Sequence, residues 1–205
     1  MTDTFKDLNG VLLQGHIKIS DPESGEILID KRNAIHYENM SIALAESLAN
    51  SGQGPIYKMA FGNGGTSVDP TGIITYLTPN STGTNASLYN QTFDKVVDDQ
   101  ASNNTDPVRN KLETRHVSGT NYTDILVSCL LDYGEPSGQD AFDTATNTEN
   151  LYVFDELGLV SAGADGTDGR LLTHVIFHPV QKSLNRLIQI DYTVRVQSLT
   201  GFNEA

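Results

Sequence analysis

The 205 residues include 26 acidic and 13 basic side chains, a net charge of −13, with one cysteine and no tryptophan. Such a charge repels a phosphate backbone, which argues against a nucleic-acid partner, and a chain this long buries a core without disulfides or metals. Cys129 stands alone, so no intrachain disulfide forms, and its setting "DILVSCLLD" reads as core rather than nucleophile.

The start, "MTDTFKDLNG", is polar and lacks the basic-then-apolar order of a signal peptide. The apolar runs are too short to cross a bilayer, so a soluble protein made in a cytoplasm is expected, with no membrane partner. Sequons such as Asn80-Ser81-Thr82 then read as polar loop.

"HIKIS" and "EILID" flank "DPESG", a hairpin with Pro22 and Gly25 in its turn. The one convincing helix spans about 34–50, with Asn33 as N-cap and Gly52 as stop. Ile35, Met40, Leu44 and Leu48 form its stripe, widened by Ala43, Ala45 and Ala49. "PIYKMAF" and "GIITYL" read as strands around a glycine turn. Residues 78–107 are a long polar excursion with a short apolar centre at Phe93, Val96 and Val97. "VRNKLETRHV" and "YTDILVSCLLD" are strands, 133–150 is a second polar loop, and "LYVFDELGLV" is another strand. In "LLTHVIFHPV", Leu171, Thr173, Val175 and Phe177 share a face and Pro179 ends the strand. In "LIQIDYTVRVQ", Ile188, Ile190, Tyr192, Val194 and Val196 face a core and the alternate residues face water. About nine or ten strands and one helix predict a single mainly-β domain over 1–205, a β-sandwich or jelly roll with long polar loops.

Four stretches invite chemistry. "YKMAFGNGGTSVDP" places Gly62, Gly64 and Gly65 after a strand, but no Lys follows, as a P-loop requires, and no helix, as a dinucleotide fold requires. A structural turn is expected, with at least one of the three glycines at positive φ. His174 and His178 are four apart, but on a strand that separates them by about 13 Å, too far for one metal. Asp155 and Glu156 are adjacent and are expected to point to opposite faces, a poor acid–base pair. "DGTDG" at 165–169 fails as an EF-hand because its twelfth position is Ile176; a looser calcium site from several acidic loops stays open. No catalytic, cofactor-binding or metal-binding residue is therefore assigned, and no cofactor is expected. The stretch Asp132–Arg170 holds nine acidic residues against one basic, Arg170, so it is expected to face solvent, cations or a basic partner.

Four segments taken in order carry a resemblance. "KRNAIHYENMSIALAESLA" resembles an Asn-containing strand end entering a short helix. "PIYKMAFGNGGTSVDPT" resembles the following strand, closed by a Gly-x-Gly turn, Thr and Pro. "DELGLVSAGADGTDGRLLTHVIFHPVQKS" resembles a Glu-x-Gly-Leu strand, a Gly/Asp turn and a further strand, and "LIQIDYTVRV" resembles the closing strand. Together they are similar to virion proteins of tailed bacteriophages: neck or collar, tail-associated, and baseplate or fibre-attachment subunits. The resemblance covers about half of the chain, in order. It implies a non-enzymatic structural subunit of the virion, placed first at the neck or collar, with no catalytic residues to carry over. A tail, baseplate or capsid decoration protein is the alternative within the class. A calcium-dependent or carbohydrate-binding adhesion module, or a hydrolase hidden in the loops, are the alternatives outside it. Open sheet edges and long polar loops suit a homo-oligomeric ring. The implied partners are other copies and portal, connector, tail or sheath proteins.

Overall fold

The computed structural model describes residues 10–137, 151–164 and 168–199. Gly10–Ser20 (β1) and Ile27–Ile35 (β2) form the first hairpin, in antiparallel register from Gly15↔Asn33 to Ser20↔Ile27. Its turn closes as the pattern requires. The Asp21 carboxylate accepts the Glu23 and Ser24 N–H groups at 3.0 and 3.1 Å, and Gly25 holds φ at +74°.

The helix, Tyr37–Leu48 (α1), is shorter than the expected 34–50. Asn33, Ala34 and Ile35 belong to β2, so Asn33 is not the cap; its amide donates to Ala34 O and the Tyr192 hydroxyl. The cap is His36, whose ring Nδ1 accepts the Asn39 N–H at 3.2 Å. Met40 and Ala43 are buried, whereas Leu48 is 89% exposed, so the stripe faces the core for only part of its length.

Ten further strands follow: Ile56–Gly62 (β3), Thr66–Val68 (β4), Ile74–Tyr76 (β5), Gln91–Val96 (β6), Lys111–His116 (β7), Tyr122–Leu131 (β8), Leu151–Ala162 (β9), Asp168–Leu171 (β10), Thr173–Ser183 (β11) and Ile188–Leu199 (β12). The main sheet runs β6-β3-β9-β11-β2-β1-β12-β8-β7, with β10 on β9, and its ladders are antiparallel. The joint between its halves is narrow, only Thr173↔Ile35 and His174↔Ala34. There the sheet curls, so that Ile17, Ile19, Val127 and Tyr192 of one half share a core with Met59, Phe61, Phe154 and Leu157 of the other. The fold is mainly β and sandwich-like, as its period-two patterns predict.

Two details differ from the sequence reading. β11 does not stop at Pro179. Its ladder with β9 slips between Ile176 and Val180, and that bulge accommodates the residue that has no N–H to give. The 78–107 stretch is not wholly a loop. Its apolar centre makes the edge strand β6, and Leu88 and Val97 are buried. Residues 138–150 of the second polar loop lie outside the described residues. Among the described residues no helix is long and apolar enough to cross a membrane.

Candidate functional site

The glycine turn and the Asp155–Glu156 pair, far apart in sequence, form one unit. β3 pairs with β9 so that Gly62 sits opposite Glu156. The Asp155 carboxylate accepts the Gly65 N–H at 2.9 Å, the Thr66 N–H at 2.8 Å, and the Thr66 hydroxyl. Glu156 Oε1 accepts the N–H groups of Gly64 (3.1 Å) and Asn90 (2.8 Å). Glu156 Oε2 accepts the Tyr89 N–H at 3.0 Å and lies 2.9 Å from His174 Nε2. The turn thus does cradle an anion, but the anion belongs to the protein, and these N–H groups are not left for a phosphate.

Both carboxylates therefore serve loops on one side of β9, contrary to the expected opposite faces. The reason is the slipped β9–β11 ladder, which breaks strict alternation beside Asp155. Their environments diverge. Burial pushes Asp155 up, beyond what its three hydrogen bonds offset. Burial also acts on Glu156, but the His174 ring and the backbone N–H groups outweigh it and hold its carboxyl below the usual range. Divergent neighbours are a mark of acid–base sites. Here, however, every carboxylate oxygen is filled by a donor of the chain, and none of five mapped cavities is lined by Asp155, Glu156 or His174.

The three glycines are needed for space, not for φ. None of Gly62, Gly64 and Gly65 is at positive φ, which corrects the expectation. A Cβ on Gly62 would sit 2.5 Å from Asn90 O and 2.5 Å from Glu156 Oε1; one on Gly64 would sit 2.7 Å from Tyr89 Cβ. Gly62→Ala is expected to lower stability by roughly 1–3 kcal/mol, because backbone and a pinned carboxylate must both move. Chemical denaturation of parent and variant measures this, and an unchanged midpoint would contradict it.

The two predicted histidines separate in role. His174 is buried, and its Nδ1 accepts the Asn80 N–H at 2.8 Å, which places the ring proton on Nε2 toward Glu156. His178 is exposed and meets the Tyr76 hydroxyl at 3.3 Å. His36 completes the set: its Nε2 lies 3.0 Å from Gly83 O. The carboxylates and histidines thus hold residues 64–66, 80, 83 and 89–90, and Leu88 is sunk in a small apolar cluster with Ala60, Val160 and Leu171. This is a polar clasp for loops. Among the described residues no group of three or more His, Cys, Asp or Glu side chains is placed to hold a metal ion. Residues 165–167 of the "DGTDG" stretch lie outside the described residues. Cys129 is buried, and burial pushes its thiol up to about 12, consistent with a core role.

What the clasp holds is an arm. Among the described residues β4 and β5 pair with each other and with no strand of the main sheet. The Gly64–Thr66 entry to this hairpin is pinned by Glu156 and Asp155, and its exit at Asn80 by His174. Its tip is tied by Asp69, which accepts the N–H groups of Thr71 (2.8 Å) and Ile73 (3.0 Å). Yet most of the arm's apolar side chains face out: Val68 is 62%, Ile73 63%, Tyr76 50% and Leu77 42% exposed, while Ile74 is half-buried. Nothing in the sequence pattern signalled this, since "GIITYL" reads like any core strand.

A second apolar feature is a slot of about 270 Å³ between α1 and the β7 end of the sheet. Leu13, Leu44, Leu112, Ile125 and Val196 are among its walls, and among the described residues no charged side chain lines it. No family model matches the chain, and neither a curated protein nor a solved structure matches it.

Proposed function

We propose that this chain is a non-enzymatic structural subunit of a tailed-phage virion, present in several copies and placed at the neck or collar. The observation that carries this reading is the clasped arm. An isolated two-stranded hairpin is marginal in water, and apolar side chains on it lose free energy by staying wet. Here the polar clasp at its root holds the arm in place while leaving its apolar residues outward, which suits a contact with another protein. Exposed apolar patches of this kind mark interaction sites. The ordered likeness of four segments to virion proteins supplies the class, and the arm, with Asp69 as its one charge on a chain of net charge −13, supplies a surface that can approach other copies.

The test is incorporation. Mass spectrometry of purified particles should find the chain in multiple copies. A variant with residues 67–76 replaced by a short glycine linker should keep its β circular dichroism and be lost from particles at least tenfold. Normal incorporation of that variant, or absence of the parent chain from particles, would overturn the proposal.

A further inference from the structure

We infer that the slot beside β7 receives the β4–β5 arm of a second copy, which makes the self-contact head-to-tail. The inference builds on the multi-copy reading above but concerns only which surfaces meet.

The slot has the shape of a missing strand. β7 ends the main sheet among the described residues, so its outer N–H and C=O groups have no ladder partner there. Leu112 and Thr114, alternate residues of β7, line the slot, while Met40 and Leu44 of α1 close it from the far side. A strand laid along β7 would complete the ladder and send every second side chain into the slot.

The arm has the matching features. Among the described residues β5 pairs only with β4, so its other edge is open to a ladder there. Ile73, Thr75 and Leu77 alternate on one face of it, away from the face that carries Tyr76 to His178. An aliphatic cavity of about 150 Å³ holds a benzene-sized guest, so about 270 Å³ admits two branched side chains two apart on a strand, such as Ile73 and Thr75, matching the spacing of Leu112 and Thr114.

Charge selects the same pair of surfaces. Residues 63–77 carry one charge, Asp69, and the slot carries none. The β7 rim carries Lys111, Glu113 and Arg115, the last two paired at 3.1 Å, a net of one positive charge against the one negative charge of the arm. A nearly uncharged pair of surfaces is the kind on which two copies of a chain at −13 can meet with least repulsion. None of the residues lining the slot belongs to the arm, so knob and hole lie on different parts of the chain. A contact between different patches is heterologous, and it closes into a ring or extends into a filament.

Two variants test this, Ile73→Cys and Thr114→Cys, against the buried and unreactive Cys129. Mild oxidation of the mixed variants should give a disulfide dimer on a non-reducing gel, while either variant alone should give none. The double variant should give a ladder beyond the dimer. Ile73→Asp, on an exposed position, should keep the β circular dichroism and weaken self-association at least tenfold. A cross-link by Ile73→Cys alone would show a symmetric contact and overturn the inference. So would the absence of any cross-link in the mixture. If particles hold several copies but the mixture does not cross-link, the arm-in-slot contact fails and the virion reading stands. If the cross-link forms but particles lack the chain, the virion reading fails and the contact stands.

Discussion

Glu156→Gln is expected to destabilise the fold by roughly 2–4 kcal/mol and to release the arm at its root. Glu156 takes N–H groups from Gly64, Tyr89 and Asn90 and faces the His174 ring, all as an acceptor. Glutamine keeps one accepting oxygen and turns an NH₂ toward donors, so at least one buried N–H loses its partner. The pH dependence carries a sign. The Glu156 carboxyl is held below its ordinary value of 4.5, so its contribution is full above that pH and is lost as pH falls through the lower folded value. Asp155, pushed up by burial, works the other way, so whole-protein acid titration mixes the two. The difference between parent and variant isolates Glu156, and it should shrink below pH 4.5. A difference that stays constant from pH 7 to pH 3 would argue against the carboxylate as the anchor. Amide exchange at Gly64, Tyr89 and Asn90 should quicken in the variant before global unfolding does.

The second large effect is in the core. Phe154→Ala is expected to cost roughly 3–5 kcal/mol, close to half the stability of an ordinary domain. Phe154 meets Phe61 edge-on at 5.5 Å, stacks on Tyr152 at 5.5 Å and meets Phe177 edge-on at 5.7 Å. These rings come from β3, β9 and β11, so one truncation opens a cavity shared by three strands. Thermal unfolding would show a drop in midpoint of several degrees. A loss under 1 kcal/mol would mean that the neighbours collapse into the gap.

Much of this architecture was legible in the chain. Ile188, Ile190, Tyr192 and Val194 alternate with polar residues and lie buried as the pattern demands. Alternation reports one wet and one dry face, and β12 has both. It fails on β11, where His174 and Ile176 are as buried as Val175 and Phe177 because both faces are covered. It fails again at Lys182, a buried cation whose amine donates to Asp132 O, Glu135 O and Ser183 O at 2.7–3.0 Å. The clasp was illegible for a different reason. Adjacent carboxylates, a glycine run and His174 each had a bland local reading, and only the β3–β9 register and the β11 bulge bring them together. The helix cap was missed because a histidine accepting through Nδ1 is a rarer cap than an asparagine three residues earlier.

The position of β12 has a consequence for the order of events during synthesis. It lies between β1 and β8, pairing from Gly10↔Leu199 to Ser20↔Gln189 on one side and from Ile188↔Leu131 to Gln197↔Tyr122 on the other. Until this strand leaves the ribosome, β1 and β8 have no shared neighbour, and that half of the sheet exists as two separate hairpins. Until then the nascent chain leaves Ile17 and Ile19 of β1, and later Val127 of β8, without their shared neighbour. Closing this half of the sheet therefore waits for β12 and rests on a long-range pairing, the kind of contact that slows folding. A ribosome-bound chain stopped before Ile188 should be bound by chaperones and cut readily by protease, whereas a chain released with β12 should resist both.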